Sequence, residues 1–541
     1  MQLNRKKIII LVSIVAIIAA GAIFSSFFGL PTIVKDPITG NYKVVMKKNE
    51  GPDPLKASFK DENGQNYDIE IINQTYLHNE RRNYYGNELP DKLQVIWQLQ
   101  LGGGPTQVGA TRKHWSGAGW TGQPLMVKEN GKKYIIQGAF DHRLKKIDYE
   151  TGEVIWQYRF DDVVKGTGTL WFNHKADSLK DRIVILQGTR AGGMMASPIV
   201  DCYRGISYFT GEELWRMNSP RTACYSRDVD GSALILKDTA YLALETGIFA
   251  VFNPDRRSGS LRDGLFQPQM HRFKDTLYRP GDAAAHGGNL VCEASPSRID
   301  NRIYLAAGSG RVWGYNMTDQ KIDWEYYIGS DIDGSPVVTD DKCLLIAIEK
   351  QYIQGKGGIL KLDPSKKPED ATLWFLPTEN RRFVTWDGGV IGTVATNEAT
   401  RKSNHPHIGA CIAIDGNLYV FDLNKIDSTK KVKLFDNKTD AYSPKIYFKT
   451  STGPSIASPI IVGNRMAVPT YNGFYLYEFN EKMEFKLLDK MDFSAEATPF
   501  CDNGKIFIAS RNGYLYCLGD AKGQKAKEIP LSYKTEVKSK K

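Results

Sequence analysis

Seven cysteines occur in the 541 residues, at 202, 224, 292, 343, 411, 501 and 517. None adjoins another, none forms a C-x-x-C pair, and none precedes Cys202. These absences exclude a thiolate zinc site, a C-x-x-C-H haem attachment and a lipid on an N-terminal cysteine. The seven read as small buried hydrophobes, although in an oxidising compartment Cys202 and Cys224 could pair, since both lie in turn-rich connections. Cys501 and Cys517 fall on the first and third strands of one sheet, two spacings of roughly 4.8 Å apart and beyond disulfide reach. Histidine is scarce, with 8 in the chain. His405-Pro406-His407 places two imidazoles together without a carboxylate or cysteine in view, which reads as a solvated insertion rather than a metal site. Gly102-Gly103-Gly104 lacks the following Lys-Ser/Thr and helix of a phosphate loop. There is no long interior block of one charge: Lys+Arg total 71 against Asp+Glu 61, and the excess of +10 is spread along the chain. That balance reads as a solvated basic surface and gives no reason to expect nucleic acid as a partner.

What is present begins with Arg5, Lys6 and Lys7 and an uncharged run from Ile8 to Leu30. At about 1.5 Å per residue the run can cross a hydrocarbon core of roughly 30 Å. Residues 1–30 are therefore expected to form an N-terminal transmembrane helix, single-pass in the cytoplasmic (inner) membrane. The charge asymmetry puts the N-terminus inside and the rest of the chain in the periplasm or outside the cell. A cleaved signal peptide is the rival reading, because Ala19, Ala20, Gly21 and Ala22 are small, but the run exceeds a usual signal core. Residues 31–90 are polar and irregular and read as an exposed stalk or a small minor domain, in which FKDENGQNYDIEIIN could form a small hairpin. Residues 526–541 read as a basic C-terminal tail.

The stretch Leu144–Tyr158, LKKIDYETGEVIWQY, is two short apolar runs around a D-x-x-T-G turn, the second run carrying Trp156. It reads as two antiparallel strands. Looser copies surround Trp215, Trp324 and Trp374, and Trp97, Trp156 and Trp215 follow one another at intervals of 59 residues. Apolar runs opening at Thr121-Gly122-Gln123-Pro124, Gly168-Thr169, Asp230-Gly231-Ser232, Glu293-Ala294-Ser295-Pro296, Asp333-Gly334-Ser335-Pro336, Asp387-Gly388-Gly389, Ala457-Ser458-Pro459 and Glu496-Ala497-Thr498-Pro499 supply eight innermost strands. The spacing predicts an all-β fold over residues 91–525, an eight-bladed β-propeller of four-stranded antiparallel blades. Ala196-Ser197-Pro198 imitates an opening but falls in an insertion, 190–204. The last repeat lacks an outer strand, and LQVIWQLQL around Trp97 is expected to supply it and close the ring.

The pattern met by Ile147 to Trp156, and in part around Trp215, Trp324 and Trp374, resembles the tryptophan-docking motif of the pyrroloquinoline-quinone-like (PQQ-like) propeller superfamily. The likeness covers residues 78–520. It implies a structural role, holding blade to blade, for Trp97, Asp148, Thr151, Gly152, Trp156, Trp215, Trp324 and Trp374. The superfamily includes quinoprotein dehydrogenases and non-enzymatic scaffolds such as BamB-type subunits. The enzymatic branch implies a quinone over Ca²⁺ in the central funnel, typically with a vicinal disulfide, a tryptophan and an Asp base. The chain has no Cys-Cys pair to supply the first.

The polar candidates are the twin stretches Ser226–Ser232 and Ser330–Ser335, which precede innermost strands and should face one mouth of the channel. Arg227, Asp228, Asp230, His286, Asp331, Asp333, Asp387 and Glu496 are the binding candidates there, a ring of carboxylates suited to a cation or a basic peptide. Ordinary D-G-S turn chemistry, with Asp and Ser bonded to local amides, is the alternative. The leading expectation is a membrane-tethered scaffold that binds other cell-envelope proteins, with no catalytic residue, metal or cofactor. A dehydrogenase using PQQ and Ca²⁺ is the alternative. Carbohydrate binding on aromatic loops rests only on Tyr and Trp that blade packing needs anyway.

Overall fold

The computed structural model describes residues 55–262, 265–269 and 275–537, and the backbone of two short paired strands, Thr32–Lys35 and Tyr42–Val45. Eight sheets stand around a central channel. Their innermost strands are Leu125–Glu129, Thr169–Phe172, Leu234–Leu236, Ser297–Ile299, Val337–Val338, Ala395–Thr396, Ile460–Val462 and Phe500–Asp502, here blades 1 to 8. Each is followed outward by antiparallel partners joined by tight turns. Successive strands of alternating apolar residues bury one face against each neighbouring blade, so the core is a series of inter-blade layers.

The ring closes as the repeat predicted. Gln94–Gln100 pairs antiparallel with Tyr514–Gly519, with Trp97 opposite Cys517, and becomes the fourth strand of blade 8. The tryptophans dock the blades. The indole N–H of Trp97 donates to the Tyr149 carbonyl at 3.1 Å, that of Trp156 to Tyr208 at 3.0 Å, that of Trp324 to Lys366 at 3.0 Å and that of Trp374 to Leu423 at 3.2 Å, each on the next blade. Trp215 reaches the Pro254 carbonyl at 2.8 Å. The T-G turn receives the ring. Asp148 accepts from the amide of Thr151 at 2.8 Å and holds the turn, and Gly152 has φ +74°. A Cβ on Gly152 would come within 2.9 Å of the Trp97 ring, and one on Gly211 within 2.8 Å of Trp156.

Three expectations need correction. Blade 3 has three strands rather than four, because the chain after Phe252 leaves it and adds a hairpin, Ser260–Arg262 with Leu265–Gln267, to the outer edge of blade 2, parallel to the Trp215 strand. The C-terminal segment is not a free tail up to Val537. Lys527–Ile529 pairs parallel to Gln94–Gln100, and Gln157 exchanges main-chain hydrogen bonds with Thr535 and Val537. Residues 55–90 are not an exposed stalk. Leu55–Lys60 and Asn66–Asn73 form the expected hairpin, but it pairs with the inner strand of blade 1 and sets Phe59 edge-on to Phe172 of blade 2. The seven cysteines are free, Cys202 and Cys224 among them, which agrees with the leading reading of them. Residues 1–31, where the membrane helix is expected, lie outside the described residues. Among the described residues no helix is long and apolar enough to cross a membrane.

Residues 74–86 then cross the channel itself and plug it. Leu77 N–H donates to Gln123 Oε1 of blade 1 at 2.8 Å, Thr75 Oγ1 lies 2.9 Å from Thr169 Oγ1 of blade 2 and donates to Ala233 O of blade 3, and Arg82 Nε donates to Pro296 O of blade 4 at 2.8 Å. Arg81 pairs with Asp340 of blade 5 at 2.8 Å, Tyr85 Oη accepts from Thr396 N of blade 6 at 2.8 Å, Tyr76 Oη meets Ser458 Oγ of blade 7 at 2.8 Å, and Tyr85 O accepts from Cys501 N of blade 8 at 3.0 Å. One short segment thus touches all eight blades. Leu77, His78 and Arg82 take φ of +54°, +63° and +57°, a conformation such residues rarely adopt.

Candidate functional site: the acidic funnel

A girdle of hydroxyl and amide groups circles the channel at the start of the inner strands. The Gln123 amide donates to Thr167 Oγ1 at 2.8 Å, Ser232 to Ser295 Oγ at 2.9 Å, Ser295 to Ser335 Oγ at 2.9 Å, Ser335 to Thr393 Oγ1 at 3.0 Å, and Thr393 to Ser458 Oγ at 2.7 Å. The serines of D-G-S therefore bond neighbouring blades rather than their own turns. The plug's partners lie at or beyond the girdle along the chain, and the funnel side chains precede it, so plug and funnel occupy opposite ends of the channel.

Two residues before each girdle position the blades read Thr121, Lys165, Asp230, Glu293, Asp333, Ile391, Ile456 and Glu496. A second ring comes from the residues just after each second strand, among them Phe140, Arg190, Glu245, Glu349, Tyr471 and Arg511. Together they enclose an open cavity of about 640 Å³. It has two unlike sectors. Blades 3 to 5 contribute Asp228, Glu245, Glu293, Asp331, Asp333 and Glu349, while Ile391, Ile456, Trp120 and Trp386 form an apolar wall across from them.

Of the residues expected at this mouth, Asp228, Asp331, Asp333 and Glu496 line the cavity, and Asp230 lies directly beneath it, bonded to the Lys165 ammonium. Three do not line it. Arg227 is turned back into the protein, where its guanidinium holds the carbonyls of Ser219, Met195 and Ser197 and so clamps the 190–204 insertion. His286 is buried, its ring stacked on Tyr352 at 4.5 Å and Nδ1 2.6 Å from the Gly308 carbonyl. Asp387 is exposed on a loop, 3.8 Å from Arg382. Lys165, Arg190, Glu245, Glu293 and Glu349 were not among the candidates. Glu293 carries the same offset from its strand as Asp230, and Glu245 and Glu349 end equivalent second strands, TAYLALE and CLLIAIE. Comparison of blade positions would have found all three.

The carboxylates gather as two trios. In Asp230, Glu245 and Glu293, and again in Asp331, Asp333 and Glu349, one oxygen from each residue lies within 4.8 Å of the others. The first trio holds a cation of the chain itself, Lys165, bonded to Asp230 and 3.4 Å from Glu293. Burial alone would depress the lysine, but Asp230, Glu293 and Glu245 outweigh it and hold its pKa well above the ordinary value. Burial, opposed by Lys165 but reinforced by Asp230 and Asp331, pushes Glu293 up to about 7. Arg190 Nε lies 3.0 Å from Asp228. In the second trio the Asn289 amide donates to Asp331 at 2.5 Å, and no lysine or arginine of the described residues pairs with any member. Burial, then repulsion from Asp331 and Glu293, pushes Glu349 up to about 9, and the same causes hold Asp333 well above the carboxylate range.

A third trio lies at the plug, where Asp340, Glu398 and His407 face Arg81. His407 Nδ1 is 3.2 Å from Glu398, so this histidine does have carboxylate neighbours, and His405 is buried; the pair is not a solvated insertion. Arg81, 2.8 Å from Asp340 and 3.9 Å from Glu398, already fills the position a metal would need.

No protein-family model and no curated protein matches the sequence. Among solved structures, the quinohemoprotein alcohol dehydrogenase from Comamonas testosteroni is similar at 12% identity and TM-score 0.52, over 85% of this chain and 82% of that one. BamB from Moraxella catarrhalis gives 13% identity and TM-score 0.48, over 79% and 99%, and a europium-containing methanol dehydrogenase 12% and 0.47, over 81% and 89%. At such identities the likeness is one of fold. The chain is an eight-bladed β-propeller.

Proposed function

We propose that this chain is a binding propeller tethered to the cytoplasmic membrane by residues 1–30, which displays its acidic funnel outside the cell membrane to protein partners of an envelope complex. The open funnel carries the reading. Its carboxylates outnumber its cations on blades 3 to 5, and the opposite end of the channel is closed by the chain's own N-terminal segment. A surface of that charge recognises cationic groups and excludes anions. The hydrophobic run at 8–30 precedes the plug in the chain, which supports a tether on the closed side. Cross-linking in intact cells, followed by capture from detergent-solubilised membranes, should recover envelope proteins with the wild type and lose them with Asp331→Asn/Glu349→Gln. Recovery of the propeller alone overturns the proposal.

The quinoprotein reading has one observation of its own. Asp331, Asp333 and Glu349 offer converging oxygens of the kind a Ca²⁺ ion takes, with Asn289 beside them and Trp120 and Trp386 across the cavity. A bound quinone would supply two-electron oxidation there, with the carboxylates holding the ion. Purified protein given PQQ and Ca²⁺ should then show a bound chromophore and dye reduction with an alcohol; neither appearing removes this reading.

A further inference from the structure

The two trios are built alike, and among the described residues a side chain fills only one. Asp230 and Asp333 share an offset from the girdle, and Glu245 and Glu349 each follow a second strand directly. Lys165 enters the first trio from blade 2. The second receives no such side chain, and among the described residues no hydrogen bond or ion pair reaches the carboxylate of Glu349, which is 5% exposed and lines the cavity. Ile391, Ile456 and Trp386 form an apolar wall of the same cavity. A ligand that suits both must carry a cation and an apolar stem.

We propose that the funnel takes a lysine side chain of a partner protein, its ammonium in the Asp331–Asp333–Glu349 trio and its methylenes along Ile391, Ile456 and Trp386. The proposal rests on the protein-binding reading above and names the group that reading leaves open. An ammonium is what the sister trio accommodates, as Lys165 shows. It is compact and donates three hydrogen bonds, which suits three convergent carboxylates, whereas a planar guanidinium suits two coplanar oxygens. The apolar wall favours the lysine stem over a bare metal ion, which would leave that wall without an apolar partner.

The test is calorimetric titration of the full-length protein in detergent with the peptides acetyl-Gly-Lys-Gly-amide, its norleucine counterpart and its N-ε-acetyl-lysine counterpart, and with CaCl₂. The lysine peptide should bind at least tenfold more tightly than either counterpart. Glu349→Gln should lower its affinity about tenfold, and Trp386→Ala should weaken it severalfold while leaving the lysine-to-norleucine preference in place. Equal binding of lysine and norleucine peptides overturns the inference, as does binding of Ca²⁺ alone. Either failure leaves the protein-binding reading standing provided cross-linking still recovers partners, so the two are separable. Melting temperatures of both variants within a few degrees of wild type identify a loss of affinity as local.

Discussion

A single glycine of the docking turn does two things. Gly152 sits at φ +74° and leaves room for the Trp97 ring 2.9 Å from where a Cβ would stand. Gly152→Ala therefore adds backbone strain and a clash with a buried indole, and should cost roughly 1–3 kcal/mol, read as a lowered melting temperature. Gly523→Ala, at φ +76° with nothing near its Cβ, separates the two causes and should cost less. The funnel makes a different kind of prediction. Glu293 and Glu349 have folded-state pKa values of about 7 and about 9 against an ordinary 4.5, so the folded chain keeps protons that the unfolded chain gives up. Their contribution to stability is complete below about pH 4.5 and is lost as pH rises through about 7 and then about 9. Glu349→Gln keeps the neutral form at every pH. Its melting temperature should exceed that of wild type by a margin that widens from pH 5 to pH 9; a constant margin would contradict this.

At the level of elements, the plug is held by charge as well as shape. Arg81, buried with Asp340 and Glu398, balances two carboxylates, and burial together with repulsion from Glu398 pushes Asp340 up to about 6 even with the arginine present. Arg81→Ala leaves both uncompensated and should destabilise by about 3–5 kcal/mol in thermal or urea unfolding; Asp340→Asn in the same chain should restore part of the loss. The strands were legible in the sequence because each obeys a local rule: alternation, a T-G turn, a tryptophan at a fixed offset. The plug obeys none. Its residues Tyr76, Arg82 and Tyr85 look polar and irregular in sequence because each bonds a different blade, and no period relates partners scattered from Gln123 to Cys501. The missing fourth strand of blade 3 escaped for a similar reason, since its docking tryptophan has no counterpart and an unrelated hairpin occupies the chain there. Half of the funnel was legible. Asp228, Asp331 and Asp333 stand out in conspicuous D-G-S stretches, while Glu245 and Glu349 end ordinary strands and gain meaning only once the blades are superposed.

The molecule as a whole has one open end and one closed end. If residues 1–30 tether it, removing them should move the protein from the carbonate-resistant membrane fraction to the soluble one without changing its melting temperature by more than a few degrees, because residues 55–537 carry the described contacts. A truncated protein that stays in the membrane fraction would show that another part of the chain does the anchoring.

The plug also sets the order of events during synthesis. Residues 74–86 leave the ribosome before any blade, yet their last partner, Cys501, is made only after seven blades, as are the strands that flank Gln94–Gln100. Neither the plug nor the ring can be completed before Lys527–Ile529 has been made. The early segment must wait, with Tyr76, Leu77 and Tyr85 uncovered, through the making of more than four hundred residues. Such long-range closure is slow. If the chain crosses a membrane, as proposed above, that delay lets it pass before the ring has closed.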